Sequence, residues 1–183
     1  MQEMVRSFDT VGSLVHAWWN TGSSLLVSSD ILSKEWRPER AILSSSVAGH
    51  DLTWEVHGPR LLLRAAAVEC FIKAVYVSRG GSLAEGGRYK SPGGLAHDLV
   101  ALAAAAGLAL DDKETTLLRR LSLWIERGRY PQPAAWERDL LDSPQGKILG
   151  TGWSDASEAA FACLRSRFVA IGRDLAAIAD QDT

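Results

Sequence analysis

Arg60-Leu61-Leu62-Leu63-Arg64-Ala65-Ala66-Ala67-Val68-Glu69-Cys70-Phe71-Ile72-Lys73-Ala74-Val75-Tyr76-Val77-Ser78-Arg79-Gly80 decides the fold. Leu61, Leu62, Ala65, Val68, Phe71, Ile72, Val75 and Tyr76 recur at steps of three and four, which places them on one wide helical face. Pro59 suits the first helical turn, where its missing N–H has no intrahelical partner to lose. Gly80-Gly81 supplies the stop. The pattern predicts a helix over 59–78, buried on most sides, and the other segments are read against it.

Downstream, residues 81–96 hold five glycines and Pro92 around Arg88-Tyr89-Lys90. They are expected to form a long loop, and long loops in compact domains tend to carry function. An alanine-rich helix is predicted from about His97 to Ala106, stopped by Gly107. Asp111 or Asp112 then caps a helix with Glu114 in its first turn and Leu117, Leu118, Leu121, Trp124 and Ile125 on its core face. Gly128 ends that helix, and a turn follows at Arg129-Tyr130-Pro131-Gln132-Pro133. A short helix over about 134–141 and a Gly/Pro/Ser-rich loop over 142–152 lead to the last helix. Asp155-Ala156-Ser157-Glu158 opens it in a pattern close to a capping box, and its stripe is Phe161, Leu164, Phe168, Ile171, Leu175 and Ile178.

Upstream, Asp9 or Thr10 is placed to cap a helix bearing Val11, Leu14, Val15, Trp18 and Trp19. Thr21-Gly22-Ser23-Ser24 is a candidate break, after which Leu25, Leu26, Ile31 and Leu32 resume the pattern. Pro38 suits the start of a short helix reaching Ala48, and 51–57 reads as a brief extended piece. No long period-two alternation occurs. The expected architecture is all-α: a single domain over 1–183, with an up-and-down bundle of four to five core helices at 59–180. Residues 1–58 are expected to form a helical extension packed on it.

With 46% apolar and 23% charged residues in 183, the chain is long enough to bury a core and has ordinary globular composition. A net charge of -2 and an isoelectric point near 6.1 argue against a broadly basic nucleic-acid surface. Cys70 and Cys163 lie in apolar helical patterns without CxxC or Cys/His spacing, so they read as buried thiols of a reducing cytosol, with no metal site. No apolar run reaches the roughly 18 residues of a membrane span, and Met1 to Asp9 lacks the layout of a signal peptide. The expectation is a cytoplasmic protein. No phosphate loop, nucleophile elbow, zinc-binding HExxH or dinucleotide fingerprint is present, and no cofactor is expected.

Taken together, three segments resemble a HEPN domain, a family of nucleotide-associated helical bundles. They are the long helix with Glu69 and Lys73 ending at Ser78-Arg79-Gly80, the loop into His97-Asp98-Leu99, and Arg127-Gly128-Arg129-Tyr130-Pro131 after the next helix. The last is similar to the Ser-Arg-Tyr-Pro turn of nucleotidyltransferase-linked members. The resemblance covers roughly 60–131, with the last helix closing the bundle. It implies a two-fold homodimer and work on or near nucleotides and RNA. Many members are RNases, often toxins, with an Arg four to six residues before a late His; others are inactive binding modules beside a nucleotidyltransferase. Here the histidines are His16, His50, His57 and His97, and none follows an Arg in that way. A family-type RNase is therefore not expected, and no catalytic residue is assigned.

The residues themselves yield the candidate sites. Glu69 and Lys73, four apart, read as a helix ion pair; if Glu69 is buried it needs a cation, for which Arg129 is a candidate. His97 with Asp98 reads as a helix start or as part of a ligand site. Arg88 and Lys90 flank Tyr89 as candidate phosphate contacts beside a stacking ring. Arg119, Arg120, Arg127 and Arg129 are the densest basic patch, with Arg120 and Arg127 on roughly one face. The expected ligand groove joins Lys73, His97, Arg127, Arg129 and Tyr130. The leading expectation is a noncatalytic HEPN-like nucleotide- or RNA-associated module of a defence, stress or toxin–antitoxin system, with a separate partner such as a nucleotidyltransferase. The alternatives are an RNase using His97 with Arg88 or Arg129, and a structural subunit that meets a protein partner.

Overall fold

The computed structural model describes residues 2–35, 53–92, 97–127, 140–143, 146–149 and 153–179. Its helices are α1 (Gln2–Gly12), α2 (Val15–Glu35), α3 (Thr53–Ser78), α4 (Leu99–Ala105), α5 (Asp112–Arg127) and α6 (Asp155–Ala179). Two small antiparallel hairpins interrupt them: β1 (Ala84–Glu85) with β2 (Arg88–Tyr89), and β3 (Leu140–Ser143) with β4 (Gly146–Leu149). The chain is an all-α bundle. No helix among the described residues is long and apolar enough to cross a membrane.

Helix α3 is the axis. Leu61, Ala65, Ala67, Val68, Phe71, Ile72 and Val75 are all buried on it, as the apolar spacing requires. Its most extensive partner is α2, which runs antiparallel: Trp19 meets the Phe71 ring at 4.8 Å, and the Ser29 hydroxyl donates to the Arg60 carbonyl at 3.2 Å. Thr21-Gly22-Ser23-Ser24 does not break α2. Gly22 is buried with the Phe71 ring against it, and a Cβ there would fall 2.8 Å from a ring carbon, so the missing side chain serves helix approach. Helix α5 lies antiparallel to α3, with Gly58 near Trp124. Helix α6 places Phe168 5.3 Å from Phe71 and Arg165 on Asp30. The four long helices thus alternate up and down. Leu117, Leu118, Leu121, Trp124, Phe161, Leu164 and Phe168 complete the core with Leu99 and Leu102 of α4.

Helix ends follow local chemistry. The Asp98 carboxylate accepts from the N–H groups of Val100 and Ala101, so α4 starts at Leu99 and His97 stands outside it. The Arg79 guanidinium donates to the Ala106 carbonyl at 2.5 Å and closes the other end of α4. Asp111 and Glu114 form a reciprocal capping box on α5, and Arg167 of α6 donates to both oxygens of Glu114. At α6 the capping pair is Ser154 with Ser157, not the expected Glu158. Glu158 instead accepts from buried Arg64 at 2.7 Å and from the Trp153 indole at 2.7 Å. Arg64 lies over the Phe161 ring at 4.5 Å. The carboxylate is drawn off because a buried guanidinium is a stronger partner than a backbone N–H.

Three further expectations change. Helix α3 begins at Thr53, so 53–57 is helical rather than extended and Pro59 lies inside the helix. The proline has no N–H to donate to the helix at that position. Helix α1 begins at Gln2 and contains Asp9, which is therefore no cap: its carboxylate accepts from the N–H groups of Gly86 and Gly87, both at 2.9 Å. The loop expected at 81–96 folds in part as β1–β2, whose turn glycines have φ of 61° and 74°. Positive φ at both positions is what a two-residue hairpin turn demands and what glycine tolerates. Likewise β3 and β4 occupy Leu140–Ser143 and Gly146–Leu149, taking in the end of the helix expected over 134–141 and part of the loop expected over 142–152. The helix expected from Pro38 to Ala48 lies outside the described residues.

Candidate functional site

Helix α3 carries two ionisable side chains, one turn apart, into the interior. Lys73 Nζ donates to Glu69 Oε1 at 2.5 Å, and the two side chains are only 9% and 10% exposed. The other carboxylate oxygen, Oε2, lies 3.0 Å from His97 Nδ1. The ammonium also has an aromatic ring on each of two elements: Trp18 of α2 with its centroid at 4.7 Å and Tyr89 of β2 at 4.9 Å. Five residues from two helices, a hairpin and a loop thus converge, the buried charge pair among them.

Each placement has a local cause. The i,i+4 spacing on α3 aligns Glu69 with Lys73. Asp98 fixes the start of α4 and holds His97 just before it, at φ 80°. Trp18 is oriented by its indole N–H, which donates to the Gly12 carbonyl at 3.1 Å at the end of α1. Tyr89 pairs across the hairpin with Ala84, and the Gly86-Gly87 turn is held by Asp9.

The electrostatics keep the pair ionised. Burial pushes the Glu69 carboxyl up, but the Lys73 charge and the hydrogen bonds from Lys73 and His97 together bring it below the usual carboxylate range. Burial pulls the Lys73 ammonium down; attraction to Glu69, with help from the Tyr89 hydroxyl, leaves it above the usual lysine range. Lys73 is consequently a fixed cation, not a nucleophilic amine. Burial pushes the neighbouring Cys70 thiol up to about 11, which keeps it protonated and unreactive at neutral pH. With an ionised carboxylate accepting at Nδ1, the proton of a neutral His97 sits on Nδ1 and Nε2 carries the lone pair. His97 is the most open of the three, at 27%.

No family model, curated protein or solved structure matches the chain.

Of the residues predicted from sequence, Lys73, His97 and Glu69 come together. Glu69 takes its partners from Lys73 and His97; Arg129, the partner expected for a buried Glu69, lies outside the described residues, as does Tyr130. Arg127 ends α5, and its side chain is likewise outside them. Arg88 and Lys90 are exposed beside Tyr89, and Lys90 is ion-paired with Glu85. Arg119 is exposed and Arg120 half-buried, its pKa lowered by that burial. Trp18 and the inward role of Tyr89 were missed. The signal for Tyr89 was present: Gly86-Gly87 between short runs is a hairpin turn, and a hairpin fixes which side chains share a face. For Trp18 the sequence offers only an aromatic pair with Trp19, without a mark of which ring turns to the lysine. Among the described residues no group of three or more His, Cys, Asp or Glu is placed to hold a metal ion.

Proposed function

We propose that the chain is a HEPN-like nucleotide- or RNA-associated binding module whose ligand surface is Tyr89, Arg88 and His97 at the mouth of the Glu69–Lys73 pair. The observation that carries this reading is the Tyr89 ring. It is 44% exposed, yet it is positioned from behind by a buried ammonium. An aromatic ring open to solvent on a preorganised hairpin, beside an exposed guanidinium at the preceding residue, is the set of groups that stacks a base and meets its phosphate. Arg88 is exposed and has no ion pair among the described residues. Lys73 and Glu69 act in this reading as the internal support of the surface. A thermal-shift screen against ATP, GTP, NAD and short RNAs tests it. A ligand that binds only the folded chain adds about 2.7 kcal/mol at a hundredfold excess over its dissociation constant. The expected result is a rise in melting temperature that shrinks in Tyr89→Ala. No shift with any of these probes removes the reading and turns attention to a protein partner.

A second reading, an RNase with a non-standard site, is favoured by the Glu69–His97 contact at 3.0 Å. A carboxylate that orients imidazole through Nδ1 leaves Nε2 as a proton acceptor, the geometry of a general base. Arg88 is then the cation for the phosphate. RNA cleavage by the purified chain, abolished in His97→Ala and in Glu69→Gln, is the result that establishes this reading. Intact RNA after prolonged incubation eliminates it.

A further inference from the structure

We infer that the ligand is recognised through the flat face of an unpaired nucleobase stacked on Tyr89, with phosphate capture contributing little. This rests on the binding-module reading and names the chemical class that its surface takes. Three observations carry it.

The first is the state of the cations. Lys73 Nζ is bonded to Glu69 and its side chain is 9% exposed, and Lys90 is paired with Glu85. Among the described residues Arg88 is the cation beside the ring without an ion pair, so this part of the surface is equipped to neutralise about one phosphate. A single contact to a single strand gives a salt slope of only about -0.7 in log K against log salt.

The second is the ring. The ammonium 4.9 Å from the centre of the Tyr89 ring draws electron density toward itself, which makes the ring less attractive to a second cation and better matched to an electron-rich purine. A methylated amine or a basic peptide is thereby disfavoured. The third is preorganisation. Tyr89 sits in a paired strand, its turn is bonded to Asp9, and Lys73 fixes its inner side, so little side-chain ordering opposes stacking.

The test is equilibrium titration of the full chain with adenosine, ATP, inorganic tripolyphosphate, a short single-stranded oligoadenylate and an RNA duplex. Adenosine and ATP are expected to bind within about threefold of each other, tripolyphosphate and duplex not measurably. Tyr89→Phe should retain affinity. Tyr89→Leu, which keeps an apolar cover over Lys73, should lose tenfold or more, in line with the usual worth of roughly one to two decades for a stacked base. Oligoadenylate binding far tighter than adenosine identifies RNA as the source of the base; equal affinities identify a free nucleoside or nucleotide. If ATP and tripolyphosphate bind alike and adenosine does not, or if duplex binds as well as single strand, the stacking inference is overturned while the binding module stands. If none of the probes binds the wild-type chain, both fall.

Discussion

Glu69 Oε1 and Lys73 Nζ stand 2.5 Å apart inside the bundle, and His97 Nδ1 closes the other carboxylate oxygen at 3.0 Å. Their energetics are asymmetric. Removing one partner of a buried pair leaves an uncompensated charge, whereas removing both leaves an apolar gap. Lys73→Met is expected to lower stability by about 3–5 kcal/mol. Glu69→Gln combined with Lys73→Met should recover most of that loss. Urea denaturation of the two variants measures this, and equal losses in both would mean that the pair is not the buried unit described.

Acid stability has a second contributor in Glu158. The hydrogen bond from Arg64 is the largest influence on its carboxyl; burial opposes it, but the Trp153 indole and the nearby guanidinium charges help hold the value at about 2. A depressed folded-state pKa contributes stability that is present above the ordinary value of 4.5 and is lost as pH falls through about 2. The melting temperature of Glu158→Gln, followed from pH 7 downward, should therefore start lower and fall less steeply between these values. Parallel acid limbs for wild type and variant would contradict the assignment. Glu69, also depressed, acts in the same direction, and Lys73, raised, has its effect at the alkaline end.

Gly22 tests the contact between α2 and α3. A helix-interior glycine replaced by a better helix former gains up to about 1 kcal/mol, while overpacking a core contact costs about 1–3 kcal/mol. A Cβ at Gly22 would also sit 3.0 Å from the Ala67 carbonyl oxygen, which cannot move without bending α3. The steric term should win: Gly22→Val is expected to be destabilised by about 2 kcal/mol. A variant as stable as wild type in chemical denaturation would show that the helices do not approach so closely.

Asp98 holds the start of α4 and, through it, the position of His97. Asp98→Ala should cost about 1 kcal/mol, the usual value of an N-cap. Hydrogen exchange should speed first at the amides of Val100 and Ala101, which the carboxylate now covers. Unchanged protection there would dissociate the cap from the geometry of the site.

The bundle was legible because long runs carry their own evidence. Leu61 through Tyr76 and Phe161 through Ile171 keep helical period over several turns, and nothing in either run offers an alternative. Glu69 and Lys73 were legible as a pair, but not as a buried one: spacing gives adjacency on a helix, whereas burial depends on which neighbours pack above it. Short elements were the harder part. At Gly22 a residue that reads as a break in sequence is a packing device in space. At Glu158 a good capping residue goes to Arg64, which the sequence places ninety-four positions away. The hairpin 84–89 has only two-residue strands, too short for alternation to register, and it is held by Asp9, whose own label as a helix cap was a local reading of a long-range role.

Helix α1 contributes no buried residue. It is attached through Asp9 on the two turn amides, Gly12 against Ala84, Val5 against Gly87, and the Trp18 indole on the Gly12 carbonyl. Judged by hydrophobic burial the segment is dispensable; judged by what it touches, it is a splint for the hairpin that aims Tyr89. Loosening that splint would leave the bundle standing and let the ring lose its bearing. The stability of the bundle and the bearing of the proposed ligand surface therefore rest on different parts of the chain.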